Sequence, residues 1–203
     1  MQTSVHKIHA FNPTFLIPEC KRRLYSYKLG TLGDPSAPTC SEYVARAVCK
    51  FKHVQLYGSF EKAASDVVLG SLDIFLVPAA YPHVCHFIHS AELRLLALFV
   101  TRIPPMVVAG TLEQMPDQVD VLYHHPATAA MLAQIGCKFS KVVTVASNVA
   151  ACRAVTGDAD KCVCITNKLA ADKFNLRISS VLRPGTPMPF FVFGAARLKH
   201  ANN

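Results

Sequence analysis

The sequence predicts an α/β protein of two lobes with a cleft between them. Strand-like apolar runs alternate with helix starts through two successive βαβ blocks. A double proline, Pro104 and Pro105, separates the apolar runs at 93–100 and 106–110, marking a crossing point where one unbroken strand cannot pass. With 203 residues, 51% hydrophobic and 17% charged, the chain can bury a core without staples and has no room for long disordered tails.

Residues 1–25 lack clean periodicity and are expected to form an extension packed on the surface. Residues 28–33 read as a short strand running into the turn-rich loop DPSAP at 34–38. Thr39 and Glu42 stand in capping-box relation and open a helix through about Lys50. A strand at 54–57 follows, and Ser59 caps a helix that ends at Gly70. The run at 72–78 is almost continuously apolar, as in a buried parallel strand. Beyond the prolines, strands at 119–125, 141–147 and 161–166 lead into helices from Pro126, about Asn148 and Asn167. Strands near 176–182 and 190–196 close the chain. One lobe is expected over about 26–100 plus 184–199, the other over about 101–183.

The formal charge is +8, yet Lys21, Arg22 and Arg23 form the only basic run and no basic–aromatic interleaving occurs. A small polyanion therefore fits better than a nucleic acid. No apolar run approaches the ~20 residues of a membrane span, and the N-terminus lacks a secretory signal. Most of the eight cysteines, among them Cys49, Cys152, Cys162 and Cys164, lie in apolar periodic segments and read as reduced thiols of a cytoplasmic protein. In open α/β folds ligands bind outside the carboxyl ends of strands. The starts at Thr39–Ser41, Pro126–Thr128, Ser147–Asn148 and Thr166–Asn167 each offer unpaired amides, mostly with a hydroxyl or side-chain amide. Each is either a cap or an anion site, and at least one is expected to hold an anion.

AYPHVCHFIH, at 80–89, crowds His83, Cys85, His86 and His89. Histidines at steps of three on a helix drift round its axis and converge poorly on a metal. Cys162 and Cys164 lack a second ligand pair at zinc-finger spacing. Neither a metal nor a cofactor is expected.

The motif order resembles the catalytic region of prephenate dehydratases over roughly 28–195: Leu32-Gly33, Ser41-Glu42, Ser59-Phe60, Val77-Pro78, His125-Pro126 and Ser147 through Ala151. The resemblance implies a two-lobed fold of the periplasmic-binding-protein type II kind, here without a regulatory domain. Departures are equally informative. That family's Glu-Asn-Ser after Val-Pro is Ala79-Ala80-Tyr81 here, and its terminal Thr-Arg-Phe is Met188-Pro189-Phe190. These changes, with Ser41-Glu42-Tyr43, Leu56-Tyr57, His86-Phe87, Pro105-Met106, Thr166-Asn167 and Pro187-Met188, resemble the nonaromatising prephenate decarboxylases of the bacilysin-pathway type. The loop at 34–40 departs from that branch, being longer than its usual Pro-Glu-Gly-Thr and lacking the glycine.

This resemblance implies loss of CO2 from prephenate with the ring left unconjugated, giving a dihydro-4-hydroxyphenylpyruvate for an antibiotic or peptide natural-product pathway. Such an enzyme must withhold an acid from the ring alcohol, and Met188-Pro189 has no proton to give. It must also protonate an alkene carbon, a task for a group titrating near neutrality. The resemblance singles out His86 for this, with Tyr81 beside it; a structural role for His86 is the alternative. Carboxylate binding is expected at Thr39 and Ser41 on one lobe and Ser147 and Asn148 on the other, with Thr166, Asn167 and Met188 completing the substrate-binding set. Arg102 is either a charged clamp or a solvated hinge arginine, and His125 reads as a local structural histidine. A dehydratase and a non-catalytic anion-binding module stay open as alternatives, as does the oligomeric state, a homodimer included.

Overall fold

The computed structural model describes residues 14–15, 26–112, 115–157 and 161–196. A two-residue strand, β1 (Thr14–Phe15), pairs antiparallel with a later strand. The rest of the expected surface extension at 1–25 lies outside the described residues.

The first sheet begins with β2 (Lys28–Leu32) and β3 (His53–Tyr57), which run parallel. Between them lies α1 (Cys40–Tyr43), continued as a π-helix over Val44–Val48. Helix α2 (Phe60–Val68) then leads to β4 (Ile74–Pro78), and the short α3 (Val84–Ile88) to β5 (Leu93–Arg102). With the final strand β11 (Pro187–Ala195), the order is β1-β5-β11-β4-β2-β3. Strand β4 is buried at four of its five positions because it is central, between β2 and β11.

The second sheet holds β6 (Met106–Gly110), β7 (Gln118–His124), β8 (Lys138–Thr144), β9 (Cys162–Asn167) and β10 (Arg177–Arg183), in the order β10-β6-β9-β7-β8. A 3-10 helix over Pro126–Gln134 follows β7, α4 (Asn148–Gly157) follows β8 and α5 (Lys168–Lys173) follows β9.

The chain passes between the sheets after β5, through Ile103, Pro104 and Pro105, and again before β11, through 184–186. The two passages lie side by side: Ile103 N donates to Thr186 O at 3.1 Å, and Arg102 Nη1 donates to Gly185 O at 2.8 Å. Gly185 has φ 136, a conformation closed to most side chains, so the return passage depends on glycine there. Apolar clusters form on each sheet, around Phe99 and Phe190 on the first and Val149 and Cys164 on the second.

Candidate active site

Between the sheets opens a cavity of about 350 Å³, within the roughly 300–1,000 Å³ usual for small-molecule sites. Helix starts from both sheets line it: Thr39, Cys40 and Ser41 at α1, Ser59 and Phe60 at α2, His125, Ala127 and Thr128 at the 3-10 helix, Ser147, Asn148 and Val149 at α4, and Asn167 at α5. Each start is fixed by a local cap. Glu42 N donates to Thr39 Oγ1 (3.0 Å), Lys62 N to Ser59 Oγ (3.2 Å), Ala127 N to His125 Nδ1 (3.2 Å), Ala150 N to Ser147 Oγ (2.9 Å) and Ala170 N to Asn167 Oδ1 (2.9 Å). The sequence marks the α2 start as a cap but carries no sign that it belongs to the site.

Capping uses these side chains unequally. Thr39 also donates its hydroxyl to Leu32 O at 2.7 Å, so it has no proton left for a ligand. Ser147 accepts the Ala150 amide and keeps its proton. Ser41 is 4% exposed and lines the cavity, and its hydroxyl makes no hydrogen bond among the described residues. Asn148 Oδ1 is buried and likewise without a partner among them. Ser41 on one wall and Ser147 with Asn148 on the other are therefore the polar side chains with capacity to spare. Leading helix amides beside them supply further donors toward anionic groups.

Among the described residues no Lys, Arg, Asp or Glu lines the cavity. The titratable groups that do are held neutral. Burial pushes the Cys40 thiol up to about 12. The Tyr81 phenol is raised by burial and by the Glu61 carboxylate that accepts its hydroxyl proton. Burial, reinforced by neighbouring His124, lowers His125, so its imidazole is uncharged at neutral pH. Since Nδ1 of His125 accepts the Ala127 amide, its ring proton sits on Nε2. Ile103, Met106, Met131, Met188 and Phe190 make an apolar floor.

Of the residues expected at the site, Thr39, Ser41, Tyr81, Ser147, Asn148, Asn167 and Met188 come together here. Three do not. His86 lies on the exposed face of α3, stacked on His83 with ring centroids 5.4 Å apart, over a separate depression lined by Glu61, Ser65, Glu92 and Leu93. The helix buries Phe87 instead, and adjacent residues on a helix point about 100° apart. Arg102 donates to Gly185 O where the chain passes between the sheets and does not line the cavity. Thr166 is fully buried behind the site, accepting from Cys152 Sγ (3.1 Å) and donating to Asn148 O (2.9 Å). Tyr81 contributes its ring, set edge-on against Phe60 at 4.8 Å, while its hydroxyl is taken by Glu61. Cys40 lines the cavity without having been expected there, and His125, expected as a local structural histidine, both caps the helix start and lines the cavity. Among the described residues no three His, Cys, Asp or Glu side chains converge as metal ligands, and no helix is long and apolar enough to cross a membrane.

No protein-family model matches the sequence. A curated protein from Bacillus amyloliquefaciens, prephenate decarboxylase, is 26% identical over 200 residues, covering 91% of this chain and 96% of that protein. The chain is thus similar to prephenate decarboxylases over most of its length. A relative of the same description from Bacillus subtilis strain 168 is 27% identical over 187 residues, covering 86% of this chain and 89% of that protein. In fold, the chain matches the crystal structure of a prephenate dehydratase from Arthrobacter aurescens, solved with L-Phe (TM-score 0.65, 16% identity), covering 83% of this chain and 60% of that longer one. It also matches a methionine-binding protein (TM-score 0.53, 11% identity), covering 85% of this chain and 84% of that one. The two-lobed, periplasmic-binding-protein type II-like fold implied by the dehydratase resemblance is the one found.

Proposed function

We propose that this chain decarboxylates prephenate without aromatising it, giving a dihydro-4-hydroxyphenylpyruvate that feeds a natural-product pathway of the antibiotic or peptide kind. The observation that carries the reading is the cavity's chemistry: it has donors for anions but no standing acid. Homology to prephenate decarboxylases supports the same substrate and the carboxy-lyase class.

Prephenate presents a ring carboxylate and a pyruvyl carboxylate. Ser41 with the α1 amides would take one, and Ser147 and Asn148 with the α4 amides the other, leaving the ring on the floor of Met106, Met131 and Met188. When the bond from the ring carbon to its carboxylate breaks, its electron pair forms a new ring double bond. The neighbouring alkene shifts its own pair outward and takes up one proton, so one proton is consumed for each CO2 released. Protonating the ring alcohol instead would expel water and aromatise the ring. A thioether floor cannot do that. We assign the alkene proton to His125, whose depressed pKa makes its rare imidazolium a competent acid without a permanent charge beside the alcohol. The sheets with their flanking helices, about 26–100 plus 184–199 and about 101–183, would act as lobes whose closure excludes water.

Incubating the protein with prephenate tests the reading. CO2 release with a nonaromatic keto acid is expected; phenylpyruvate as main product would return the dehydratase reading, and unchanged prephenate the binding-module reading.

A further inference from the structure

The loop that lacks the decarboxylase branch's glycine does something the proposed chemistry leaves unused: it ties one sheet's elements to the other's. Leaving β2, it places Asp34 against Arg153 of α4, whose Nη2 lies 2.9 and 2.8 Å from the two carboxylate oxygens and 3.1 Å from Ser36 Oγ. Ser36 N donates back to Asp34 Oδ1 at 2.8 Å, which fixes the carboxylate's orientation. Ala37 is 4% exposed and packs in the second sheet's apolar cluster with Val149, Ala151 and Cys152. Asn167 Nδ2 reaches Pro38 O at 3.5 Å. The next residues are Thr39, Cys40 and Ser41 at the cavity wall.

An exposed ion pair contributes little by itself. Here the ion pair, an apolar seat and a carbonyl contact fall on five consecutive residues, two of them prolines that restrict the loop's alternatives. We infer that residues 34–38 form a strap that holds the cavity closed before any ligand arrives, with Asp34 and Arg153 as the pair that positions Ser41 against Ser147 and Asn148. A site already closed spares its ligand the cost of closing it, so loosening the strap lowers affinity in proportion to the closed fraction lost.

Amide hydrogen exchange on the ligand-free protein tests this with no substrate involved. Asp34→Arg and Arg153→Asp should each speed exchange severalfold at residues 40–43 and 148–151 while leaving the central strands β4 and β9 unchanged, and the exchanged pair Asp34→Arg/Arg153→Asp should restore protection. Wild-type exchange in both single variants, or no restoration in the double, overturns the strap. Should a reversal speed exchange through whole sheets, Arg153→Gln answers the same question more gently: local acceleration supports the strap, and none refutes it. The kinetic arm alone rests on the decarboxylase reading, and there KM should rise about tenfold with kcat within twofold. Prephenate left untouched by the wild type would defeat the decarboxylase reading and leave the exchange result standing.

Discussion

His125 accepts the amide of Ala127 at Nδ1, 3.2 Å away, and this bond holds both the helix start and the tautomer of the ring. Asparagine can accept the same amide, so His125→Asn separates cap from imidazole. Turnover of prephenate should fall about a hundredfold, in the usual range for a lost general acid, with KM and Tm little changed. Equal kcat in both proteins would remove His125 from the chemistry.

The same histidine sets a pH dependence of stability. Its pKa in the fold lies below the usual 6.5, so folding favours the neutral ring. That contribution is complete above the unfolded value and is lost as pH falls through the folded one. Thermal melts should show wild-type Tm dropping below pH about 6.5 more steeply than that of His125→Asn. Parallel profiles would contradict the shift.

Ser41 and Ser147 differ in a way that two assays can separate. Each Ser→Ala change should raise KM roughly tenfold, as expected for losing about 1.5 kcal/mol of hydrogen bond to a charged group. Only Ser147→Ala also removes a cap, and it alone should lower stability, by about 1 kcal/mol in denaturant melts.

Tyr81 serves through its ring. Its hydroxyl is occupied by Glu61, so Tyr81→Phe should keep kcat within about threefold. Tyr81→Ala removes the face packed on Phe60 and Phe87, at 4.8 and 6.1 Å between centroids, and should cost about 2 kcal/mol of stability along with most activity. A tenfold loss in Tyr81→Phe would put the phenol proton back into the mechanism.

Product identity is the sharpest readout of the floor. Met188→Thr places a hydroxyl where the dehydratase pattern has one and should raise the share of phenylpyruvate among the products. His86→Ala, outside the cavity lining, should change neither rate nor product. A slowed His86→Ala enzyme would mean that the depression under α3 communicates with the chemistry.

Much of the architecture was legible because it is written in short-range signals. The caps at Thr39, Ser59 and Asn167 each act within three residues, and the prolines at 104 and 105 interrupt the chain where it changes sheets. The helix expected from Pro126 is a 3-10 helix instead; Thr128 is its one buried residue, and Met131 and Leu132 pack partly buried against the cluster of Met106, Leu122 and Ile165, contacts that no local signal encodes. That His86 does not line the cavity has a similar origin. A resemblance names a position, but the side a five-residue helix turns inward depends on what packs against it, here Phe87 on Phe75 and Phe193.

By itself the sequence determined the order of strands and helices, the capped starts and the hydroxyls available at them, since these depend on residues a few positions apart. Tertiary structure alone decided which starts face one another and which side chains are left over. Asn167 meets the carbonyl of Pro38 across 129 positions, and Arg153 meets Asp34 across 119. The absence of charged side chains among the described residues that line the cavity, and the shift of Cys40, Tyr81 and His125 further from their charged forms, exist only once distant segments have come together around them.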